Sequence, residues 1–154
     1  MQISSFLFGY DELINEKKKQ KLVVSTNNIF IKHFVELFGG EIVSIHFSKD
    51  NQTEFKKIFK SSKNFDLLIT SGGVSRGKYD IVKESLKEFG LKILFDRVAI
   101  KPGKPTTFGK LGQNKFFLGL PGNPVSCFMS LINFLPIYIN SYTHLRAHET
   151  NVDL

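Results

Sequence analysis

Apolar positions along this chain follow two different periods, one typical of strands and one typical of helices. Short apolar runs predict strands over residues 3–8, 42–47, 65–70, 93–100, 106–108 and 116–120. Apolar residues spaced three and four apart predict helices over residues 28–38, 51–59, 82–89 and 125–139. Predicted strands and helices therefore alternate along most of the chain.

Residues with defined local chemistry mark several helix ends. The first helix is predicted to begin at an N-cap within 26–28, Thr-Asn-Asn, and to end at Gly39 or Gly40. Asn51 is predicted to cap the second helix, with Glu54 three residues on as in a variant of the capping box. These signals are local, so they support the helix assignments independently of any tertiary contact.

Alternating strands and helices favour a three-layer α/β domain, in which a mostly parallel sheet is covered by helices on both faces. Such sheets bind ligands at the carboxyl ends of their strands, where the glycine-bearing turns after Thr70 and Leu120 lie. We assign the domain to residues 1–140. Residues 141–154 lose apolar periodicity, and we interpret them as a frayed or non-native tail.

Composition limits the class of protein. A chain of 154 residues with 42% hydrophobic and 23% charged residues can form one folded domain. No run approaches the ~20 apolar residues of a membrane span, and a single cysteine, Cys127, excludes a disulfide framework and a multi-thiolate metal site. We therefore expect a cytoplasmic protein. The net charge of +7 favours an anionic ligand, either nucleic acid or a phosphorylated small molecule.

The segment 70–80, Thr-Ser-Gly-Gly-Val-Ser-Arg-Gly-Lys-Tyr-Asp, places glycines and hydroxyls between a strand and a helix. Such a loop lets backbone N–H groups approach an anion beside a helix N-terminus. It lacks the spacing of a P-loop, so phosphate would be bound in another way. A tight strand-to-helix turn without a ligand explains the same glycines.

Two further loops favour a ligand-binding role for this segment over a plain turn. They are residues 101–105, Lys-Pro-Gly-Lys-Pro, and residues 119–126, Gly-Leu-Pro-Gly-Asn-Pro-Val-Ser. Together with the Ser-Gly-Gly loop they resemble the MoeA type of molybdopterin molybdenumtransferase, whose vertebrate counterpart is the E domain of gephyrin. The resemblance runs from about Asp11 to about Ile139 and concerns only the central MoCF/MogA-like domain of that family.

The resemblance implies a domain that binds molybdopterin within a larger, homodimeric enzyme. That enzyme takes adenylylated molybdopterin and molybdate and, with Mg²⁺, inserts the metal and releases AMP. A MogA-type adenylyltransferase is the implied partner that supplies the adenylylated substrate, and neither a membrane nor nucleic acid is an expected partner.

The resemblance also implies roles for individual residues. The substrate-binding residues would be Thr70, Ser71, Gly72, Gly73, Ser75, Lys101, Lys104, Pro121, Gly122 and Asn123. The catalytic residues, which would also hold Mg²⁺ through carboxylate oxygens, would be Glu12, Asp50 and Asp80. This chain departs from the family pattern at Tyr10, where a ring replaces a glycine, and at Arg76 and Lys78, which add positive charge.

Alternatives remain open at this stage. Asp80 also suits the N-cap of the helix that follows it, and Glu12 and Asp50 also suit solvated loops. For the whole chain, one alternative is a stand-alone MogA-type molybdopterin adenylyltransferase, which the length favours. Another is a non-catalytic module that binds pterin or, through its charge, nucleic acid.

Overall fold

The computed structural model describes residues 1–8, 26–48, 51–62, 64–72 and 81–149. The strands in this part of the chain are β1 Gln2–Phe8, β2 Glu41–Ser48, β3 Leu67–Ser71, β4 Leu91–Asp96, β5 Thr107–Leu111 and β6 Lys115–Leu120. The helices in this part of the chain are α1 Thr26–Leu37, α2 Gln52–Ser61, α3 Ile81–Lys87 and α4 Pro124–Glu149. Each element was predicted from the hydrophobic pattern, with boundaries that differ by a few residues at most except at the ends of β4, β5 and α4.

The strands form one sheet in the order β2-β1-β3-β6-β5-β4. β2, β1, β3 and β6 are parallel, whereas β5 runs antiparallel to both β6 and β4. A short turn at residues 112–114 joins β5 to β6, with Gly112 in the left-handed region at φ 70°. The predicted mostly parallel sheet is confirmed.

Helices cover both faces of the sheet because successive residues of each strand point to opposite sides. In β3, Leu67 and Ile69 belong to a core packed by α1 and α4, whereas Leu68 belongs to a second core packed by α2 and α3. All three leucine and isoleucine side chains are fully buried. The three-layer αβα arrangement is thereby confirmed.

The helix ends follow local chemistry at two of the predicted positions. Asn51 caps α2, and its Oδ1 accepts hydrogen bonds from the N–H groups of Thr53 and Glu54 at 2.9 and 3.2 Å. Gly39 ends α1 with φ 82°, and the bonds Gly39 N–H to Glu36 O and Gly40 N–H to Val35 O form a Schellman motif.

The start of α1 and both ends of β4 are among the boundaries that differ from the prediction. α1 begins at Thr26, so Asn27 and Asn28 lie inside the helix and are not its N-cap. β4 begins and ends earlier than predicted, and Arg97 adopts φ 75°, which is incompatible with an extended strand through residue 100.

The last helix also extends beyond its predicted end. α4 continues past Pro136 to Glu149, where we expected helical periodicity to be lost after residue 140. The division into a domain over 1–140 and a tail over 141–154 stays a prediction. None of the helices in the described ranges combines the length and apolar character needed to cross a bilayer.

Candidate functional site

Strand register brings three turns to one edge of the sheet, the edge at which its parallel strands end. Ser71, the last residue of β3, pairs with Leu120, the last residue of β6, so the turns after these strands start side by side. Thr107 at the start of β5 pairs with Gly119, which brings the β4–β5 connection to the same edge. The turn that starts at Ser71 and Gly72, the Lys-Pro-Gly-Lys-Pro turn and the Gly-Asn-Pro turn therefore begin at the same edge of the sheet.

The turn after β3 combines buried hydroxyls with a left-handed glycine. Thr70 and Ser71 are 0% and 2% exposed, and Thr70 Oγ1 has no hydrogen-bond partner within the described ranges. Gly72 has φ 83° and donates its N–H to Leu120 O at 3.0 Å. Only glycine adopts this backbone conformation without strain, which explains the residue type at this position.

A buried asparagine links this turn to the turn after β6. Asn27 Nδ2 donates to Ser71 Oγ at 2.7 Å and to Gly122 O at 2.8 Å. Sequence analysis missed this residue as part of the site, because an asparagine near a helix start is a common cap. Its partners lie 44 and 95 positions away, so no local sequence signal identifies them.

Asn123, in the turn after β6, has a role in the fold that the resemblance did not imply. Asn123 is exposed, but its Oδ1 caps α4 by accepting from the N–H groups of Val125 and Ser126 at 3.1 and 3.2 Å. Only its Nδ2 remains as a side-chain donor for a ligand. Pro121 is buried, and a Cβ added at Gly122 would lie 3.5 Å from Gly72 Cα, so the two turns are close neighbours.

The Lys-Pro-Gly-Lys-Pro turn is fixed against α4, and both of its lysine side chains are exposed. Gly103, at φ 126°, would place a Cβ 3.1 Å from Ser130 Oγ, so a side chain there would disturb the contact with α4. Thr106 Oγ1 bonds to Gly103 O at 2.7 Å and to Ser130 Oγ at 2.6 Å. Lys101 and Lys104 are thus exposed side chains on an anchored turn.

A carboxylate at the end of β4 links this strand to β5 and to α3. Asp96, at the end of β4, accepts from Thr107 Oγ1 at 2.6 Å and from Lys83 Nζ at 3.0 and 3.1 Å. Partial burial by itself would raise the pKa of Asp96. The hydrogen bonds from Thr107 and Lys83, with the charges of Lys83 and Arg97, outweigh burial and hold that pKa below its ordinary value.

Cys127 lies behind the turn after β3, as a buried residue of α4. Burial raises the pKa of its thiol to about 12, although the Ser71 hydroxyl, 4.0 Å away, opposes the shift. The thiol is therefore protonated near neutral pH, in line with the prediction that Cys127 packs as a small hydrophobic residue.

The remaining predicted site residues lie outside the described residues: Glu12, Asp50, Gly73, Ser75 and Asp80, together with Tyr10, Arg76 and Lys78. Within residues 1–8, 26–48, 51–62, 64–72 and 81–149, no group of three or more His, Cys, Asp or Glu side chains is arranged to hold a metal ion. The site assignments made for these positions stay predictions.

The fold and this edge define a class: an α/β domain whose parallel strands end in glycine-rich turns bearing hydroxyl, amide and lysine groups. The chain belongs to the family described as "Probable molybdopterin binding domain", whose model matches residues 9–140. The resemblance recognised in the sequence is confirmed.

Curated relatives are longer than this chain. A protein of Haemophilus influenzae named molybdopterin molybdenumtransferase is 42% identical over 123 residues, which cover 78% of this chain and 30% of that protein. The Drosophila melanogaster protein named molybdenum cofactor synthesis protein cinnamon is 52% identical over 109 residues, covering 70% of this chain and 18% of that protein. The chain thus spans less than a third of the length of either relative.

Solved structures share the fold. A molybdopterin biosynthesis protein from Mycobacterium abscessus superposes with a TM-score of 0.70 at 11% identity, covering 96% of this chain and 98% of that one. At this identity the likeness concerns the fold alone, and it agrees with the three-layer architecture described above.

Proposed function

We propose that this domain binds molybdopterin and, within a longer protein, takes part in inserting molybdate into adenylylated molybdopterin with release of AMP. The observation that carries the proposal is the register that brings the turns after β3 and β6 and the lysine turn to one edge. Family membership supplies the ligand class, and the similarity to molybdopterin molybdenumtransferases supports the reaction.

Under this proposal, each group at the edge has a role that suits its chemistry. The backbone of Gly72 and Gly122 approaches the pterin and its phosphate, because glycine backbone allows close contact, and Ser71 supports this edge from behind. Lys101 and Lys104 offset the negative charge of phosphate and molybdate as point charges. Their exposure leaves both ammonium groups free to reach a ligand.

The proposal includes Mg²⁺ held by Glu12, Asp50 and Asp80. β1 and β2 end beside β3, since Phe8 pairs with Ser48 and Leu7 pairs with Ser71. The segments that carry the first two carboxylates start from these strand ends, which supports a common edge. A divalent ion there would offset phosphate charge while the anhydride bond to AMP is broken.

A stand-alone MogA-type adenylyltransferase is the second candidate. The fold that the chain shares with the molybdopterin biosynthesis protein from Mycobacterium abscessus does not separate the two candidates. The 42% identity to a molybdenumtransferase, against 11% to that neighbour, supports the first candidate. The two reactions differ in substrates and products, because an adenylyltransferase consumes ATP and releases pyrophosphate, whereas the proposed reaction consumes adenylylated molybdopterin and releases AMP.

Titration of the chain with adenylylated molybdopterin, followed by addition of molybdate and Mg²⁺ and an AMP assay, tests the proposal. Saturable pterin binding that persists at moderate salt is expected, because a ligand held in a pocket depends on salt far less than nucleic acid does. Release of AMP would show that the chain alone is active. Absence of pterin binding, or binding of nucleic acid that collapses steeply with salt, contradicts the proposal.

Lys104→Ala is expected to weaken phosphate or molybdate binding by about tenfold, since one charge-assisted contact contributes about 1.4 kcal/mol or more. Lys110→Ala is the matched control, because Lys110 is also exposed but pairs with Phe116 toward the opposite edge of the sheet. Equal affinities of both variants, measured by calorimetry, would remove Lys104 from the site.

Asp80→Ala is expected to abolish metal insertion while the fold remains.

A further inference from the structure

Asn27 is a buried amide that touches two of the three turns at this edge. It lies in the first turn of α1 and is 7% exposed. Its Nδ2 bridges Ser71 Oγ in the turn after β3 and Gly122 O in the turn after β6. One NH₂ group thereby attaches both turns to a third element.

The chemistry of the partners requires nitrogen at this position. Gly122 O is a carbonyl, which only accepts, so the atom facing it must donate. Ser71 Oγ then accepts from the same NH₂ group, and its own proton has only long contacts, with Pro121 O at 3.5 Å and Cys127 Sγ at 4.0 Å. Asn27 Oδ1 has no partner in the described part of the chain, so the link depends entirely on the NH₂ group.

The other contacts between the two turns are one backbone hydrogen bond and one long polar contact. Gly72 donates its N–H to Leu120 O at 3.0 Å, and Ser71 Oγ lies 3.5 Å from Pro121 O. Gly72 and Gly122 carry no side chain to interlock, so these contacts by themselves hold the spacing of the turns only loosely. The two shorter hydrogen bonds from the Asn27 amide restrict that spacing.

We infer that Asn27 is a positioning residue: it sets the spacing between the turn after β3 and the turn after β6, and through that spacing the affinity of this edge for its pterin ligand. The inference rests on the proposed function for the identity of the ligand. Asn27 itself is inaccessible, so its effect on the ligand passes through Ser71 and Gly122.

Asn27→Asp and Asn27→Leu test the inference, since both keep the approximate shape of the side chain. Each is expected to weaken binding of adenylylated molybdopterin at least tenfold near neutral pH. Binding by Asn27→Asp should recover as the pH falls, because a protonated carboxyl can donate to Gly122 O again, and burial raises the pKa of such a carboxyl into a measurable range. Asn27→Leu should not recover.

Asn133→Asp is the matched control. Asn133 also donates through Nδ2 to a carbonyl, Met129 O at 2.6 Å, but it is exposed on α4. This variant adds the same charge and removes the same donor, so it should leave affinity and its pH profile as in the wild type. A residue with a merely structural role at position 27 would lower stability without an acid-dependent recovery of affinity.

A measurement without ligand separates this inference from the proposed function. Hydrogen exchange at the N–H groups of Gly72 and Cys127, which bond to Leu120 O and Asn123 O, should be about tenfold faster in both Asn27 variants. If exchange is faster in the Asn27 variants but the wild type binds no pterin, the result would support the positioning role of Asn27 and overturn the proposed function. Unchanged exchange with affinity within twofold of wild type would overturn positioning. If Asn27→Leu does not fold, the pH series of Asn27→Asp decides.

Discussion

At the scale of single residues, the chemistry of this edge is set by burial more than by residue type. Ser71, Asn27 and Cys127 are all nearly inaccessible and lie within one small network. The Asn27 amide donates two hydrogen bonds, the Ser71 hydroxyl accepts one of them, and the Cys127 thiol packs as an apolar group. The same three residue types on the surface would be solvated and interchangeable.

Cys127 is expected to resist alkylation in the native protein at about pH 8, because it is buried and its pKa is raised from 9.0 to about 12. In denaturant the thiol should react readily. Since the folded pKa lies above the unfolded one, this group stabilises the fold below pH 9 and that contribution is lost as the pH rises toward 12. Native and denatured rates that agree within a factor of a few would contradict the burial argument.

At the scale of elements, side-chain contacts hold the antiparallel strands β4 and β5, and the turn between them, to α3 and α4. Asp96 ties the end of β4 to β5 and to α3 through Thr107 and Lys83. Thr106 and Ser130 tie the lysine turn to α4. The position of the lysine turn therefore depends on both faces of the sheet.

Asp96→Asn is expected to lower the free energy of unfolding by about 1 kcal/mol at about pH 7, after allowance for solvent screening of a partly exposed pair. The lowered pKa of Asp96 means that its contribution is present above pH 3.8 and is lost as the pH falls through the folded pKa. Urea unfolding of wild type and variant should therefore converge at acid pH.

Glu84→Gln provides the comparison, because Glu84 forms an exposed pair with Lys87 on α3 and should contribute far less. A loss for Asp96→Asn no larger than for Glu84→Gln, or one that persists undiminished at acid pH, would show that the Asp96 carboxylate does not hold this edge.

At the scale of the whole molecule, two cores on opposite faces of the sheet carry the fold. α4 contributes to one of these cores with residues as far along the helix as Ile139. The structure describes the side chains of α4 up to residue 141, so the predicted boundary near residue 140 stays a prediction.

Deleting residues 142–154 is expected to change the free energy of unfolding by less than about 0.5 kcal/mol, because the segment lacks apolar periodicity in the sequence and terminal residues of this kind contribute little to stability. Thermal unfolding and solubility of the truncated chain check this expectation. A loss of several degrees in Tm or the appearance of aggregates would mean that the segment packs against the domain.

Much of the fold and part of the site could be predicted because their signals are local. The alternation of strands and helices, the cap at Asn51 and the glycine at position 39 each depend on residues a few positions apart. The cap at Asn123 had such a signal too, an asparagine followed by proline at the start of a helix, although the resemblance drew attention to a ligand role instead.

The sequence by itself determined the secondary structure, the three-layer class and the glycine turns at the strand ends, since period and turn chemistry act over short stretches of chain. Only the tertiary structure decided which turns meet. The strand order β2-β1-β3-β6-β5-β4 places β3 beside β6, and Asn27 finds partners 44 and 95 residues away. Such pairings depend on how distant surfaces pack, and burial then gives an ordinary asparagine a unique pair of acceptors.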